Sequence, residues 1–463
     1  MAMPSGFLLH SDIDRVIEGD YCIGCGACAA QENSPYSMTW DKRLLYRAER
    51  KIRSPSASGR AIVCPFSSSA KNEDEIASEL FSDVDRDEVI GRFDYLGAGH
   101  SLERSDRVDG SSGGLTTWLC RELLRLNWID AVVHVKPAAD NSARLFEYQI
   151  SSSADDLSVG AKSRYYPVEV SGVIQTIRSS SLRYAFVGIP CMIKALRLLL
   201  EADPKLRPRI PFLIGIVCGH MKSGAFAEAL AWESGTHPRY LSSVDFRTKI
   251  PGRRSSDYGA TVTSNAGSSN TSIMRRSFVR DWGIGWFRPN ACDYCDDVIA
   301  ETADVSFGDA WIDKYENQWE GTNVVVVRRR ELTRLLADAA GEGRIFLEPL
   351  TPQEVLQSQS SGFRHRREGL AYRLHLKNRK GEWAPKKRVQ PACDLNMYRR
   401  IIYRLRMAIA KQSHWSFSIA RTLNSFLSFK LQMLPLYAAY SVCGRLYRTT
   451  TLVRNSVRKL KIG

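Results

Sequence analysis

Three cysteines near the start of the chain, Cys22, Cys25 and Cys28, have the spacing of an iron–sulfur ligand loop. Bacterial ferredoxins use the same repeated interval of three residues to hold a 4Fe–4S cube. Gly24 and Gly26 lie between them, and glycine allows the backbone to wrap around a cluster with positive φ angles. A zinc knuckle is the alternative, although zinc sites more often have two separate CxxC pairs.

The fourth ligand is predicted to be Cys64, which is followed by Pro65. A proline after the last ligand turns the chain away from the metal, as in ferredoxin-type ligand sets. The compact bacterial run has another cysteine soon after the third, whereas this chain has Ala29-Ala30-Gln31-Glu32 there. The N-terminal segment is therefore predicted to hold one cluster rather than two.

Four more cysteines lie in the middle of the chain. Residues 184–191 are predicted to form a buried strand that ends in a Gly-x-Pro-Cys turn at Cys191, and a helix over 192–200 leads to a second strand, 212–217, before Cys218. This order predicts a parallel βαβ unit, with both cysteines at the carboxyl ends of neighbouring strands. Cys292 and Cys295 form a CxxC pair that fits zinc, a dithiol or half of a cluster. Either strand-end cysteine taken alone is more often structural.

A glycine- and serine-rich loop precedes a helix that is predicted over 115–126. The loop consists of Gly110, Ser111, Ser112, Gly113 and Gly114. The free N–H groups at the start of a helix can bind a phosphate. The loop does not match GxGxxG and follows no clear strand in the sequence, so a flexible, well-capped helix start is the alternative.

The chain has 463 residues, of which 44% are hydrophobic and 25% are charged, as in soluble globular proteins with two or three domains. The first 15 residues lack a secretory pattern, because only Phe7–Leu9 is apolar. Eleven cysteines without a signal peptide favour metal or redox chemistry in a reducing cytoplasm.

The expected fold class combines α+β and α/β architecture in four segments. Residues 1–75 are predicted to form a small ferredoxin-like 4Fe–4S module, with an Arg-rich connection around Ser54–Ser56. Residues 76–175 and 176–390 are predicted to form the two parts of a central α/β domain, and residues 391–463 a basic helical tail.

The tail carries most of the net charge of +15, since residues 394–463 contain 13 Lys or Arg and one acidic residue, Asp394. Apolar residues at helical spacing over Leu395–Ile409 predict a basic amphipathic helix. A second apolar stretch, Leu431–Gly444, contains Pro435 and is too short to span a bilayer. Packing on the body or on a partner is the favoured interpretation, and peripheral contact with an anionic membrane is the alternative. Nucleic-acid binding is not predicted, because no recognition fold accompanies the charge.

Taken in order, these motifs resemble the beta-subunit family of coenzyme F420 (deazaflavin) hydrogenases and dehydrogenases. The resemblance covers roughly residues 15–330 and includes the stretches Phe246–Lys249 and Gly308–Trp311. It implies FAD and iron–sulfur clusters in one polypeptide, so that residues 76–175 and 176–390 would be the N- and C-terminal parts of a central α/β flavin and iron–sulfur domain. Position by position, it implies FAD phosphates at Gly110–Gly114 and a second 4Fe–4S cluster on Cys191, Cys218, Cys292 and Cys295. It also implies basic residues near FAD or substrate at Arg247 and Lys249, and a polar residue at Asp309.

Two positions depart from the family pattern. Ile189 stands where threonine is common, and Thr248 stands where aspartate is common. The loss of the threonine hydroxyl removes one hydrogen-bonding group beside the predicted flavin or cluster, so the identity of the substrate does not follow from the resemblance.

The resemblance implies an electron relay. A ferredoxin or similar carrier would deliver single electrons to the N-terminal cluster, and the second cluster would pass them to FAD for reduction of a small organic acceptor or deazaflavin. His220, Lys249 and Asp309 are the candidates for proton transfer, each with a structural hydrogen bond as the alternative. The other functional hypotheses are a non-catalytic electron-transfer subunit for a partner enzyme, for example in polysaccharide biosynthesis, and a zinc-stabilised interaction protein.

Overall fold

The computed structural model describes residues 12–51, 61–103, 106–139 and 144–460, with side chains as far as residue 450. The apolar patch Phe7–Leu9 and the Arg-rich connection around Ser54–Ser56 lie outside the described residues. The fold is mixed α/β, with one large mixed sheet and a helical C-terminal region. The division into four segments stays a prediction.

The strands are short, and most of them belong to one sheet. Their bounds are β1 (Tyr36–Trp40), β2 (Tyr46–Arg50), β3 (Asp85–Asp87), β4 (Gly91–Phe93), β5 (Tyr95–Ser101), β6 (Ala131–Pro137), β7 (Phe146–Ser151), β8 (Tyr184–Gly188), β9 (Phe212–Ile216), β10 (Leu241–Thr248), β11 (Gly259–Ser264), β12 (Ser269–Ile273), β13 (Val305–Asp309), β14 (Asn323–Val327) and β15 (Ile345–Pro349).

The helices connect these strands and form the end of the chain. Their bounds are α1 (Asp12–Glu18), α2 (Glu73–Leu80), α3 (Asp106–Asp109), α4 (Leu115–Arg125), α5 (Ala154–Val159), α6 (Ser171–Arg178), α7 (Pro190–Ala202), α8 (Ala225–Glu233), α9 (Asp313–Glu316), α10 (Arg330–Gly341), α11 (Pro352–Ser358), α12 (Ser360–Arg366), α13 (Glu368–Arg379), α14 (Met397–Thr422) and α15 (Phe426–Leu460).

The large sheet has eight strands in the order β15-β5-β14-β13-β9-β8-β6-β7. Its four central strands, β6, β8, β9 and β13, run parallel, and antiparallel strands lie on both sides of them. The predicted βαβ unit is confirmed, because β8 pairs in parallel with β9 and α7 connects them. Cys191 and Cys218 follow the carboxyl ends of these two neighbouring strands, as predicted.

Helices cover both faces of this sheet, which explains the continuous apolar strands. All five residues of β14 are buried. Val325 and Val327 pack with Leu119 and Leu336 on one face, while Val324 packs on the other face in a separate core cluster. A strand buried on both faces does not alternate between apolar and polar residues.

One strand in the vicinity of the glycine- and serine-rich loop was not expected. Strand β5 ends at Ser101 and leads through the short helix α3 to Gly110. The loop directly follows this helix rather than a strand, in keeping with the sequence interpretation. Strand β5 itself was not predicted, because Gly97 and Gly99 lower its strand propensity, and its neighbours β14 and β15 hold it in the sheet.

The C-terminal region is a helical hairpin of α14 and α15. The predicted amphipathic helix is present but longer, and its Ile402 and Ile409 are buried, so this face packs on the body. Pro435 lies inside α15 and does not end it, which corrects the predicted interruption. Within the described part of the chain, no helix is both long and apolar enough to cross a membrane.

Candidate functional site

The N-terminal cysteine triplet lies in the loop between α1 and β1. Gly24 and Gly26 have φ angles of 70° and 85°, as the sequence predicted for a loop that wraps tightly. A Cβ atom on Gly24 would lie 2.3 Å from the carbonyl oxygen of Tyr46, and one on Gly26 would lie 2.3 Å from the Glu169 carboxylate. Side chains are therefore excluded at both positions, and the loop is pressed against the rest of the fold.

The structure brings Cys64 to this triplet. Burial, and then the charges of Cys64 and Cys22, raise the pKa of the Cys25 thiol far above its ordinary value. Burial also raises the pKa of Cys64 to about 12, with a contribution from Cys22. All four thiols and Pro65 line one small apolar cavity. The backbone N–H of Ala48 donates to Cys22 Sγ at 3.4 Å, which is the type of contact that surrounds cluster ligands.

The second set of cysteines also converges. Burial raises the pKa of Cys191 well above its ordinary value, and the charges of Cys295, Cys218 and Cys292 raise it further. Cys191 is in the first turn of α7, Cys292 lies within a short 3-10 helix, Asn290–Tyr294, and Cys295 directly follows that helix. The N–H of Met221 donates to Cys292 Sγ at 3.4 Å. Four thiols from three separate segments thus face one another.

The two sets are neighbours. The charge of Cys25, in the first set, contributes to the raised pKa of Cys191 in the second. Tyr148 lies close to both, since burial raises its pKa and the charges of Cys191 and Cys25 add to the effect. Among the described residues, no group of three or more His, Cys, Asp or Glu side chains is arranged to bind one metal ion. A 4Fe–4S cube is bound differently, because each thiolate bonds to its own iron atom at a separate corner.

A large cavity of about 490 Å³ lies beside the second set, at the carboxyl ends of the parallel strands. Cys218, Gly219 and His220 line it at one end, and the glycine- and serine-rich loop lines it at another. Its walls carry basic side chains and aromatic rings, and Asp309 is the one carboxylate among the described lining residues. The basic side chains are Lys162, Arg164, Lys222 and Arg247, and the rings include Tyr148, Tyr165, Tyr258, Trp282 and Trp311.

The glycine- and serine-rich loop opens α4 towards this cavity. Gly110, Ser111, Ser112 and Gly114 line the cavity together with Thr116 and Thr117 in the first turn of α4. Gly114 is the N-cap, with a φ angle of 82° and no side chain of its own to cap the helix, and the N–H of Leu115 donates to Asn323 Oδ1 at 3.1 Å instead. The serine side chains serve the fold: Ser111 Oγ accepts from the N–H of Ser163 at 2.8 Å, and Ser112 Oγ donates to the carbonyl of Thr322 at 3.0 Å. Gly113 packs against Gly99 and Asn323.

Arg247 and Asp309 form a bidentate ion pair in the cavity wall. Arg247 Nη1 and Nη2 donate to the two Asp309 carboxylate oxygens at 2.9 and 3.0 Å. Arg247 Nη2 also donates to the carbonyl of Ser111 at 3.2 Å, and the guanidinium stacks over the Tyr258 ring at 4.2 Å. The arginine is buried and therefore ties the loop to strands β10 and β13.

Lys249, unlike Arg247, forms no ion pair with Asp309 and points towards the backbone of the glycine- and serine-rich loop. Its Nζ donates to the carbonyl of Ser112 at 2.9 Å and to the carbonyl of Arg107. Burial, and then the charges of Lys162 and Arg247, lower the pKa of Lys249 to about 7. It lines a small side cavity together with Ser111 rather than the large one.

His220 is the predicted proton-transfer residue that lies nearest to the second cysteine set in the chain. Its ring stacks on the indole of Trp282 with centroids 4.9 Å apart. Burial, and then the charge of Lys222, lower the pKa of His220 well below its ordinary value. Its buried Nε2 has no hydrogen-bond partner among the described residues and belongs to a residue that lines the cavity.

The two departures from the family pattern have different surroundings. Ile189 is the N-cap of α7 and makes no side-chain cap, where a threonine hydroxyl could bond to the helix N–H groups. Thr248 instead shares a hydrogen bond of 2.7 Å with Thr261 across strands β10 and β11.

Arg366 is a site residue that the sequence interpretation missed. Its Nη1 donates to the carbonyl of Gly219 at 2.7 Å. Although burial opposes its charge, the neighbouring Cys295 and Cys218 raise its pKa above the ordinary value. No local motif marks Arg366, because it reaches the site only through the packing of α12. Lys222 and Tyr148 were missed for the same reason.

Comparisons with known proteins show which family the chain belongs to. Residues 98–175 match the family described as coenzyme F420 hydrogenase/dehydrogenase, beta subunit N-term. Residues 181–353 match the family description for the C terminus of the same beta subunit. The chain belongs to the coenzyme F420 hydrogenase/dehydrogenase beta-subunit family. Family members are oxidoreductases, and the two matches together include the loop, the second cysteine set, Arg247 and Asp309.

Two relatives within or near this family are informative. The chain is 26% identical over 222 residues to the coenzyme F420-dependent sulfite reductase of Methanocaldococcus jannaschii. This alignment covers 44% of the chain but only 32% of the relative, so the chain spans about a third of the curated relative's length. A chain of the F420-reducing [NiFe] hydrogenase complex from Methanosarcina barkeri has a similar fold, with a TM-score of 0.50 at 15% identity. That likeness covers 66% of this chain and 99% of the other.

Proposed function

We propose that this member of the F420 hydrogenase/dehydrogenase beta-subunit family is an iron–sulfur flavoprotein oxidoreductase. One 4Fe–4S cluster would be bound by Cys22, Cys25, Cys28 and Cys64, and a second by Cys191, Cys218, Cys292 and Cys295. FAD would occupy the large cavity. The observation that carries the proposal is that one cavity is bounded both by the glycine- and serine-rich loop and by Cys218.

The lining of the cavity fits FAD chemically. The first turn of α4, with Thr116 and Thr117 at the cavity, and Arg247 beside the loop suit a pyrophosphate, since helix N-termini and guanidinium groups both bind phosphate oxygens. The rings of Trp282 and Tyr165 offer flat apolar surface to an aromatic ring system. When bound, FAD exchanges electrons one or two at a time, which couples cluster chemistry to hydride chemistry.

The protein's own residues would supply burial, charge and proton transfer. The N–H of Ala48 lies beside the first cysteine set, and the N–H of Met221 and the guanidinium of Arg366 lie beside the second. These donors would favour negatively charged clusters and so tune their reduction potentials. Of the three candidates for proton transfer, His220 is the best placed, because its Nε2 is unpartnered among the described residues. Asp309 is held by Arg247, and Lys249 is held by backbone carbonyls.

The test is anaerobic purification with analysis of iron, sulfide, zinc and flavin. We expect about eight iron atoms and one FAD per chain. Cys64→Ala and Cys191→Ala should each reduce the iron content to about four, whereas Cys393→Ala, outside both sets, should not change it. Stoichiometric zinc without iron or flavin would contradict the proposal and favour a zinc-stabilised interaction protein.

The electron donor and the acceptor need a second experiment. We propose a ferredoxin or similar carrier as donor and a small organic molecule or deazaflavin as acceptor. Reduction of the bound flavin by ferredoxin, followed by turnover of an acceptor, is expected. His220→Gln should lower this turnover without lowering the flavin content.

The hydrogenase chain with a similar fold belongs to a larger hydrogenase complex, which favours the alternative of an electron-transfer subunit. Turnover that needs an added partner enzyme, for example one of polysaccharide biosynthesis, would support that alternative.

A further inference from the structure

The outer surface of the C-terminal hairpin carries an apolar stripe where a surface helix normally carries polar residues. Along α15, one face is formed by residues at intervals of three or four, which is helical spacing. We call this face the outer stripe, and it consists of Leu427, Leu431, Leu434, Ala438, Val442 and Leu446. Its leucines and Val442 are between 48% and 63% exposed.

The opposite face of α15 already packs on the protein. Phe429 and Met433 are fully buried, and Phe429 contacts the rings of Phe287 and Phe417 with centroids 5.4 and 5.5 Å apart. The outer stripe is therefore not the core-facing side of the helix. A helix that is apolar on both sides is normally covered on both, so the stripe is expected to have an occupant.

The charge of the tail indicates what the occupant is. Residues 395–463 contain 13 Lys or Arg and no Asp or Glu. Arg445 and Arg448 are exposed at the C-terminal end of the outer stripe, and Lys430 lies beside it. On α14, Lys411 and the indole of Trp415, 59% exposed, also face outwards. Apolar residues, an exposed tryptophan and exclusively basic charges are the combination that binds an anionic lipid surface.

The geometry fits a helix that lies along a bilayer. The outer stripe extends over roughly 30 Å, at 1.5 Å per residue. A second copy of this chain is disfavoured as the occupant, because two tails with only positive charge would repel each other. We propose that the α14–α15 hairpin binds the surface of a membrane with anionic lipids, with the outer stripe inserted at the headgroup boundary and the basic residues beside phosphates.

The test uses the full-length protein and vesicles in a sedimentation assay. Vesicles of phosphatidylcholine alone are compared with vesicles that contain about one-third phosphatidylglycerol. The protein should bind the anionic vesicles at least about tenfold better, and less well as salt rises from about 0.1 M to about 0.5 M. The triple variant Leu427→Gln, Leu431→Gln, Leu434→Gln should bind at least about tenfold more weakly, since it loses apolar burial in the interface. Arg445→Gln with Arg448→Gln should lose binding and part of the salt dependence.

The matched control replaces two exposed leucines elsewhere, Leu80→Gln and Leu182→Gln, and should bind like the original protein. Equal melting temperatures and equal iron and flavin contents in all variants show that the fold is kept. Absence of binding to anionic vesicles, or equal binding by the triple variant, would overturn the proposal. Concentration-dependent self-association that the triple variant abolishes, without vesicle binding, would identify a second copy as the occupant. Binding to a polyanionic protein without binding to anionic vesicles would indicate an acidic protein partner and would also overturn the proposal.

Discussion

The ring of Tyr21 meets the ring of Tyr294 edge to face, with centroids 4.8 Å apart and planes at 88°. Tyr21 immediately precedes the first cysteine of the N-terminal set, and Tyr294 lies between the two cysteines of the CxxC pair. The Tyr21 hydroxyl also donates to the carbonyl of Trp383 at 3.0 Å. The two cysteine sets are thus parts of one packed region, and clusters bound by them would be direct neighbours.

Arg366 should raise the reduction potential of the proposed second cluster. Its guanidinium lies beside Cys218 and Cys295, and a positive charge there stabilises the more negative, reduced form. Arg366→Gln is expected to lower the midpoint potential by roughly 50–100 mV, measured by a redox titration followed by electron paramagnetic resonance. Arg364→Gln, which changes an exposed arginine of the same helix, is the control and should leave the potential unchanged. An unshifted potential in the Arg366 variant would show that its charge does not act on the cluster.

Gly114→Ala should weaken flavin binding. The φ angle of Gly114 is 82°, and a Cβ atom there would lie 2.6 Å from the carbonyl oxygen of Asp106. Strain of about 1–2 kcal/mol, together with this clash, should displace the loop and lower FAD affinity at least about tenfold. Quenching of flavin fluorescence measures the affinity. Gly172→Ala, where no atom lies within 4 Å of the added Cβ, should keep the original affinity. Equal affinities in the two variants would exclude the loop from the flavin site.

The Arg247–Asp309 pair should show strong coupling between its two members. Arg247→Met leaves a half-buried carboxylate without its partner and is expected to cost about 2–4 kcal/mol of unfolding free energy. The double variant Arg247→Met, Asp309→Leu should be more stable than the single arginine variant, because no unpaired charge remains. Urea denaturation of the original protein, the two single variants and the double variant measures the free energies of unfolding. Additive losses would mean that the two side chains act independently.

His134 should make the protein sensitive to acid. Burial, and then the charge of Lys136, lower the pKa of His134 from 6.5 to about 4. Between these values the unfolded chain binds more protons at this position than the folded protein, so stability falls as the pH drops through this range. Between pH 7 and pH 4, the free energy of unfolding of the His134→Gln variant should fall by up to about 3 kcal/mol less than that of the original protein. The measurement is denaturant unfolding at several pH values, with His375→Gln as the control. Parallel pH profiles of the original protein and the His134 variant would contradict this expectation.

The sequence alone supported the parts of the site that depend on short-range spacing. The triplet Cys22, Cys25 and Cys28, the helix α4 after the glycine- and serine-rich loop and the unit β8–α7–β9 follow from contacts between residues close in the chain. Local backbone geometry and helical or strand periodicity determine such features. The ordered motifs were also sufficient to indicate the family, which the family matches confirm.

Only the tertiary structure decided which of these elements meet. Met221 lies 71 residues from Cys292 and donates to its sulfur, and Gly219 lies 147 residues from Arg366 and accepts from its side chain. Strand pairing and helix packing create these contacts, and no periodicity in the sequence encodes them. In the tail, too, the sequence predicts the helices from the spacing of apolar residues, whereas tertiary packing decides which helix face is buried. The packing of the hairpin on the body decides that the face of α15 with Phe429 is buried. It therefore also decides that the outer stripe is exposed.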